Sequence, residues 1–349
     1  MAKYRRGKKL QPAVQNMWFS LPSWDGVNSA SASHYIDLSQ VASLANRRFY
    51  RQGIQWAVSS ISIHFPELNA GESIATRPSI TVSKLPNTWV MSNAWEKGFR
   101  AWQRMNNKAL EEAESVRPKF LDFKIYADAT HHQQGVAGNL LPISVGDHIT
   151  GDTAAAGEWE MSKFVVPNTA STTGVASNFE VIAVGASYPG GGASTLNAVS
   201  LIEGYAASRG LPDVLDPNTP DDAADADGAT PENFLSALFN EGTQQDDQVI
   251  SDMIAENNLA PYPFENDGVN TDTQYPGGAN QLIGLEIHAI ENVTAITIGG
   301  TTRIKGGNFP CGLVNIDAIN TGSSANMIIE IDLVPGNHRG YLCEPMTEM

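Results

Sequence analysis

The side chains with the most obvious chemical potential are the carboxylates of Asp221, Asp222, Asp225 and Asp227, in the run DPNTPDDAADADG. Clustered carboxylates hold hard cations such as calcium. With Gly228 at the sixth position of a calcium loop, Asp225 and Asp227 take the third and fifth. The first would be Ala223 and the twelfth Phe234, neither of which ligates, so an EF-hand is excluded. Two readings remain: a structural divalent cation such as Ca, held by carboxylates of one or two subunits, or a solvated loop that keeps a surface acidic. His131-His132 is the one histidine pair. It reads as metal ligation with an acid nearby, or as a polar loop at a strand end. His64 and His288 fall in strand-like runs and are expected as hydrogen-bonded sheet residues.

Catalytic grammar is missing. There is no G-x-x-x-x-G-K-[ST] for phosphate and no H-E-x-x-H. Gly185-Ala186-Ser187-Tyr188-Pro189 opens like a nucleophile elbow but ends in proline. The glycine pairs at 277–278, 299–300 and 306–307 and the run at 190–192 read as turns. The expectation is no catalytic residue, no cofactor and no enzyme.

Binding chemistry is better represented. Lys3, Arg5, Arg6, Lys8 and Lys9 put five cations on the first nine residues. Such a terminus neutralises phosphates and releases counterions without reading sequence. A second basic run, Asn46-Arg47-Arg48-Phe49-Tyr50-Arg51, adds Arg47, Arg48 and Arg51 as nucleic-acid candidates. Residues 1–51 hold eight cations against two acids, and residues 201–280 hold sixteen acids against one cation, Arg209. The net charge of −16 therefore conceals a basic end that favours polyanions and an acidic block that repels them.

The elements that must position these groups follow from periodicity. Residues 1–12 show none and read as a flexible basic arm. Strands are expected at 13–21, 54–65, 119–127, 159–166, 178–186, 282–290, 293–298, 312–319 and 327–334. In 54–65 the apolar phase slips between Val58 and Ile61, which predicts a β-bulge. A helix is expected at about 93–113, capped by Asn93 with Glu96 three residues on. Trp95, Phe99, Trp102, Met105 and Ala109 share one of its faces. Lys97, Arg100, Arg104 and Lys108 share the opposite one, as a solvated face or as a cationic stripe toward nucleic acid. Three further helical runs, Val199–Ala207, Pro231–Asn240 and Asp246–Asn257, make an acidic helical insertion at about 196–280. With 349 residues, 31 glycines, 19 prolines and 17% charge, the chain suits an all-β sandwich with many turns. Strands with long decorated loops fit an eight-stranded jelly roll, so 13–349 is expected as one jelly-roll domain. Cys311 and Cys343 are too few for a disulfide framework and suit a reducing compartment. No apolar run suggests a signal peptide or a membrane span.

Several phrases carry a resemblance: Tyr35-Ile36-Asp37-Leu38-Ser39, Asn46 to Gly53, the Trp95-to-Asp128 unit with Asp122-Phe123-Lys124-Ile125-Tyr126, and Gly157-Glu158-Trp159-Glu160. Later ones are Leu201-Ile202-Glu203-Gly204-Tyr205, Asn257 to Pro263, Tyr275-Pro276-Gly277-Gly278 and Lys305-Gly306-Gly307-Asn308-Phe309-Pro310-Cys311-Gly312. From about residue 13 onward the chain resembles the capsid proteins of Rep-encoding circular single-stranded DNA (CRESS-DNA) viruses. The resemblance implies a viral jelly roll that self-assembles in sixty copies, or a multiple, into an icosahedral virion enclosing a single-stranded DNA genome. It implies synthesis in a host cell and a host-cell receptor that the sequence does not identify. Trp24 and Tyr262 are expected as interface anchors or, equally, as core residues. Many such capsids carry a long Arg-rich arm, and the arm here is brief. The alternative is a ligand- or carbohydrate-binding β-sandwich, or a jelly-roll metalloenzyme of cupin type.

Overall fold

The computed structural model describes residues 12–21, 31–64, 79–111, 113–145, 152–167, 176–187, 197–209, 235–240, 284–293, 301–319 and 327–349. Strands in chain order are β1 (Asn16–Leu21), β2 (Ser31–Asp37), β3 (Ile54–His64), β4 (Ser79–Lys84), β5 (Ile143–Val145), β6 (Asp152–Thr153), β7 (Lys163–Pro167) and β8 (Ala176–Ile182). They continue as β9 (Ala198–Ser200), β10 (Glu286–Asn292), β11 (Thr301–Phe309), β12 (Leu313–Ile319), β13 (Met327–Leu333), β14 (Pro335–Gly336), β15 (Gly340–Tyr341) and β16 (Cys343–Pro345). The α-helices are α1 (Leu38–Asn46), α2 (Trp89–Leu110), α3 (Ala129–Gln134), α4 (Leu201–Arg209) and α5 (Leu235–Asn240). Among the described residues no helix is long and apolar enough to cross a membrane.

The chain forms two compact units. The first comprises residues 1–83, 139–158 and 287–345, the second 84–138, 159–286 and 346–349. The block expected as an acidic insertion, about 196–280, is one part of the second. Most of it, with the helix expected at Asp246–Asn257, lies outside the described residues, as do 294–298.

The first unit is a β-sandwich. One sheet runs β1-β13-β3-β11, with β16 also on β3; the other runs β10-β4-β12-β2. The ladders β1–β13, β13–β3, β3–β11 and β2–β12 are antiparallel. One apolar core takes Phe19, Trp56, Ile61 and Ile331 from the first sheet and Ile36, Val82 and Ile316 from the second. Alternation explains the division: in β13, Ile329 and Ile331 are buried while Glu330 and Asp332 are only partly so.

The phase slip in β3 is a bulge. Asp332 faces Ser60 and the next residue, Leu333, faces Val58, so two residues of β3 span one step of β13. Ser59 is left exposed while Val58 and Ile61 both stay in the core. On the other side, β11 brings Gly306 against the same place. A Cβ there would lie 2.0 Å from the Val58 carbonyl oxygen and 2.3 Å from that of Ser59. Only glycine fits beside the bulge.

The second unit is built around α2. The helix begins at Trp89 with Thr88 as its N-cap and ends at Leu110, not at 93–113 with Asn93 as cap. The Thr88 hydroxyl accepts from the Met91 N–H at 3.4 Å, and burial of Val90 and Met91 adds the extra N-terminal turn. Asn93 instead donates to the Trp89 carbonyl. The aromatic face is as expected at its centre: Trp95 and Trp102 are buried, and Trp95, Phe99 and Trp102 gather on Phe123. The strand expected at 119–127 does not form. Ser162 supplies the partners of Lys124 through its hydroxyl and its N–H, and only Tyr126 makes a bridge, to Ile182. A three-stranded sheet, β7-β8-β9, completes the description.

Replacing Gly306 by alanine is expected to lower the thermal midpoint through a loss of about 1–3 kcal/mol, the overpacking range. Gly284→Ala, where a Cβ meets nothing within 4 Å, serves as the neutral control. Equal midpoints for the two variants in a melting experiment would remove the close approach from the explanation.

Candidate nucleic-acid interface

Of the expected cationic residues, Lys3, Arg5, Arg6, Lys8 and Lys9 lie outside the described residues, as do Asp221, Asp222, Asp225 and Asp227, Trp24 and Tyr262. Arg47, Arg48 and Arg51 are described, all exposed, on the loop that follows α1. Among the described residues no group of three or more histidine, cysteine or carboxylate side chains is arranged to hold a metal ion.

The loop is fixed from beneath by α1. Asp37, at zero exposure, is the helix N-cap. One carboxylate oxygen accepts from Ser39 N–H at 2.9 Å and Gln40 N–H at 3.2 Å; the other accepts from Gln52 Nε2 at 2.9 Å. Ser39 Oγ donates to the Arg51 carbonyl at 3.2 Å and accepts from Trp56 Nε1 at 3.1 Å. Ser43 Oγ accepts from Tyr50 N–H at 2.9 Å. Residues 37, 39 and 43 thus hold residues 52, 51 and 50 in antiparallel order. The helix closes with Arg47 in the left-handed region, φ 52°, ψ 42°, where glycine or asparagine is the usual choice. The result is a backbone tied at several points that carries three exposed arginines.

Phe49 and Tyr50 sit between these arginines. The Arg51 guanidinium lies over the Phe49 ring, 5.6 Å from its centre. Tyr50 is buried and donates to the Arg339 carbonyl at 3.1 Å. Burial pushes the Tyr50 phenol up, while the neighbouring guanidiniums of Arg48 and Arg339 pull it the other way. Arg339 also donates from Nη1 to the Phe49 carbonyl. The described chain begins against the same structure. Val14 N–H donates to Asn46 Oδ1 at 3.0 Å, Asn46 Nδ2 donates to the Tyr341 hydroxyl at 2.7 Å, and Gln15 Nε2 donates to the Gly340 carbonyl at 3.1 Å. The root of the basic arm is therefore beside the arginine loop.

Sequence reasoning did not find Asp37, Ser39 and Ser43 as the frame of this loop, or Arg339 as its neighbour. The frame had a signal: Asp37 followed by Leu38, Val41, Ala42 and Ala45 is a cap before a helical apolar stripe. Arg339, 290 positions from Phe49, had none.

The other candidates are engaged locally. On α2, Arg100 pairs with Glu96 one turn away, Arg104 donates to the Leu238 carbonyl, and Lys97 sits 5.3 Å from the Tyr205 ring centre. This favours the solvated-face reading over a cationic stripe. His131 and His132 lie on α3, not in a loop. His131 Nδ1 accepts from Ala127 N–H, and His132 Nε2 meets Glu180 Oε2 at 2.9 Å. Hydrogen bonding from His132, aided by Lys163, holds the Glu180 carboxyl below its ordinary value against the opposing effect of burial. His64 and His288 are hydrogen-bonded sheet residues as expected: His64 contacts Thr301 Oγ1 and Glu330, and His288 contacts the Lys305 carbonyl.

Two outcomes follow. Asp37→Ala leaves Ser39 and Gln40 N–H and the Gln52 amide without their acceptor, and is expected to cost about 2–4 kcal/mol by chemical denaturation. A loss below about 0.5 kcal/mol would show that the frame is not carried by this carboxylate. Glu180 has a depressed folded-state value, so its contribution is complete above the ordinary glutamate range and lost as pH falls through the folded value. The gap in melting midpoint between the native chain and Glu180→Gln should therefore shrink from pH 6 to pH 3; a constant gap would contradict the assignment. Comparison of the chain with protein-family models, with curated proteins and with solved structures returns no match.

Proposed function

We propose that this chain is a viral capsid subunit, an eight-stranded jelly roll that tiles with copies of itself into an icosahedral shell around single-stranded DNA. The observation that carries the proposal is the junction at Asn46, where Val14, shortly after a sequence stretch with five cations, is hydrogen-bonded beside an exposed arginine loop. That arrangement suits sequence-independent neutralisation of a phosphate backbone.

Strand order supports the jelly-roll part. Taken in chain order, the eight long strands of the sandwich are β1, β2, β3, β4, β10, β11, β12 and β13. The first neighbours the eighth, the second the seventh, the third the sixth and the fourth the fifth. This is the pattern of one long antiparallel hairpin, folded over so that the eighth also meets the third and the seventh the fourth. Two Greek keys rolled into a double sheet have this connectivity. The resemblance of the phrases quoted above to CRESS-DNA virus capsids is a second support for this reading.

The mechanism is physical. Sixty subunits, or a multiple, bury matching edges through closed symmetry, so many weak contacts sum cooperatively. The acidic block at 201–280 faces outward or lines subunit contacts, because inside it would repel the genome. The protein acts in the virion, after synthesis in a host cell, and no membrane takes part.

Purified full-length protein should elute as megadalton particles and show closed shells by negative-stain microscopy; a monomer or small oligomer under all assembly conditions overturns the proposal. Deleting residues 2–9 should leave shells intact and lower their nucleic-acid content, read from the ratio of absorbance at 260 and 280 nm. Unchanged content would remove the arm from the genome contacts.

A further inference from the structure

We infer that Arg339, carried by the turn between β14 and β15, is the fourth guanidinium of the arginine loop, and that with Arg47 it grips the phosphodiester backbone of single-stranded nucleic acid. This rests on the reading of Arg47, Arg48 and Arg51 as facing nucleic acid, and not on shell formation.

The geometry comes from two distant stretches of chain. Arg339 is exposed, and it is tied to the loop twice, through its Nη1 to the Phe49 carbonyl and through its own carbonyl to the Tyr50 hydroxyl. Gly340 behind it receives Gln15 Nε2, at the root of the arm. Arg51, over the Phe49 ring, and Arg339, on the Phe49 carbonyl and the Tyr50 hydroxyl, thus meet at Phe49 and Tyr50, with exposed Arg47 and Arg48 immediately before them in the chain. The adjacent His338 adds no charge near neutrality, since burial and Arg339 hold it below its ordinary value.

Backbone conformation marks the same two residues. Among the described residues three that are not glycine have positive φ: Arg47 at 52°, Cys311 at 54° and Arg339 at 52°. Left-handed backbone costs an L-residue about 1–2 kcal/mol relative to the right-handed helix. A glycine or asparagine would hold either turn with less strain, so the arginine side chain is what the turn presents. Cys311 is buried, whereas Arg47 and Arg339 keep this conformation at exposed positions, where a ligand can reach the side chain.

The chemistry of the ligand follows from charge density. Exposed arginines on two turns joined by hydrogen bonds make a positive surface that favours an anion. A nucleic-acid strand offers one charge about every 3.4 Å, and each phosphate presents the paired oxygens that the guanidinium fork matches. A polypeptide meets that density only if it is continuously acidic.

The test uses the full-length chain and fluorescence anisotropy of a fluorescein-labelled oligothymidylate across a salt series. Arg47→Asn and Arg339→Asn are chosen because asparagine adopts the left-handed conformation. Each should reduce the slope of log affinity against log salt by about 0.7, the value for one phosphate contact on a single strand. Arg339→Lys, which keeps the charge, should restore most of that slope. Arg303→Gln, an exposed arginine on β11, should leave it unchanged. Melting curves establish that each variant is folded. Unchanged slopes in both asparagine variants, or an equal loss in Arg303→Gln, would overturn the inference. So would displacement of the oligonucleotide by polyglutamate as effectively as by unlabelled oligothymidylate, which would mean an acidic-polypeptide site. Shell formation is scored separately by sizing, so a chain that forms no particles yet shows these slopes sinks the capsid reading alone.

Discussion

A carboxylate with no access to water must be satisfied from within, and Asp37 is where this sandwich meets that demand. An ionised group left unpaired in the interior costs several kcal/mol, more than most single contacts return. Its partners here include two N–H groups of the first turn of α1 and the side-chain amide of Gln52. The helix N-terminus adds a favourable dipole. Satisfying Asp37 therefore fixes three things together: where β2 ends, where α1 starts, and where the chain must be fifteen residues later. Ser39 extends the constraint to Trp56 in the core of the sandwich and to the backbone of Arg51.

That constraint decides the character of the surface above it. Arginine side chains on a mobile loop lose conformational freedom when they bind, which subtracts from affinity. A loop whose backbone is already held by Asp37, Ser39 and Ser43 has only its side chains left to order. The contrast with α2 is instructive. There the cations are as numerous in the sequence, yet Arg100, Arg104 and Lys97 spend their hydrogen bonds and charge on Glu96, Leu238 and Tyr205. The two basic segments thus differ in what fixes their backbone: side chains of α1 in the loop, and helix hydrogen bonds in α2.

The features that could be read in advance were those with a local period. The slip between Val58 and Ile61 was legible because a bulge must disturb alternation, and the burial of both residues shows why it was kept. The strands at β12 and β13 were legible for the same reason. Where side chains stand in for backbone partners, the period misleads. Residues 121–125 alternate like a strand, but Ser162 satisfies Lys124 and no ladder forms. Thr88 outranked Asn93 as the cap of α2 because Val90 and Met91 bury well one turn earlier, and burial outweighs the small difference between capping residues. The arginine loop was visible as composition, but its frame depended on reading Asp37 as a cap. Arg339 joins it only through the ladder of β13 with β3 and the short hairpin that follows, which are long-range facts.

The same long-range pairing explains where a large second unit can be accommodated. Between β4 and β10 the chain spends residues that belong mostly to that unit, yet the two strands are neighbours in one sheet. Closing a flexible connection of about 200 residues would cost roughly 5 kcal/mol in chain entropy on the logarithmic law, before the constant term. A connection that is itself compact, with its ends held together, does not leave that full cost to the strand pair. The ends are held: Glu286 accepts the Asn87 N–H at 3.1 Å through one oxygen and lies 3.7 Å from Lys84 Nζ through the other. Lys84 is largely buried, so this pair is less screened by solvent than a surface one. A polar clip between Lys84, Asn87 and Glu286 brings the ends of that connection together, which shortens the loop that pairing of β4 with β10 has to close.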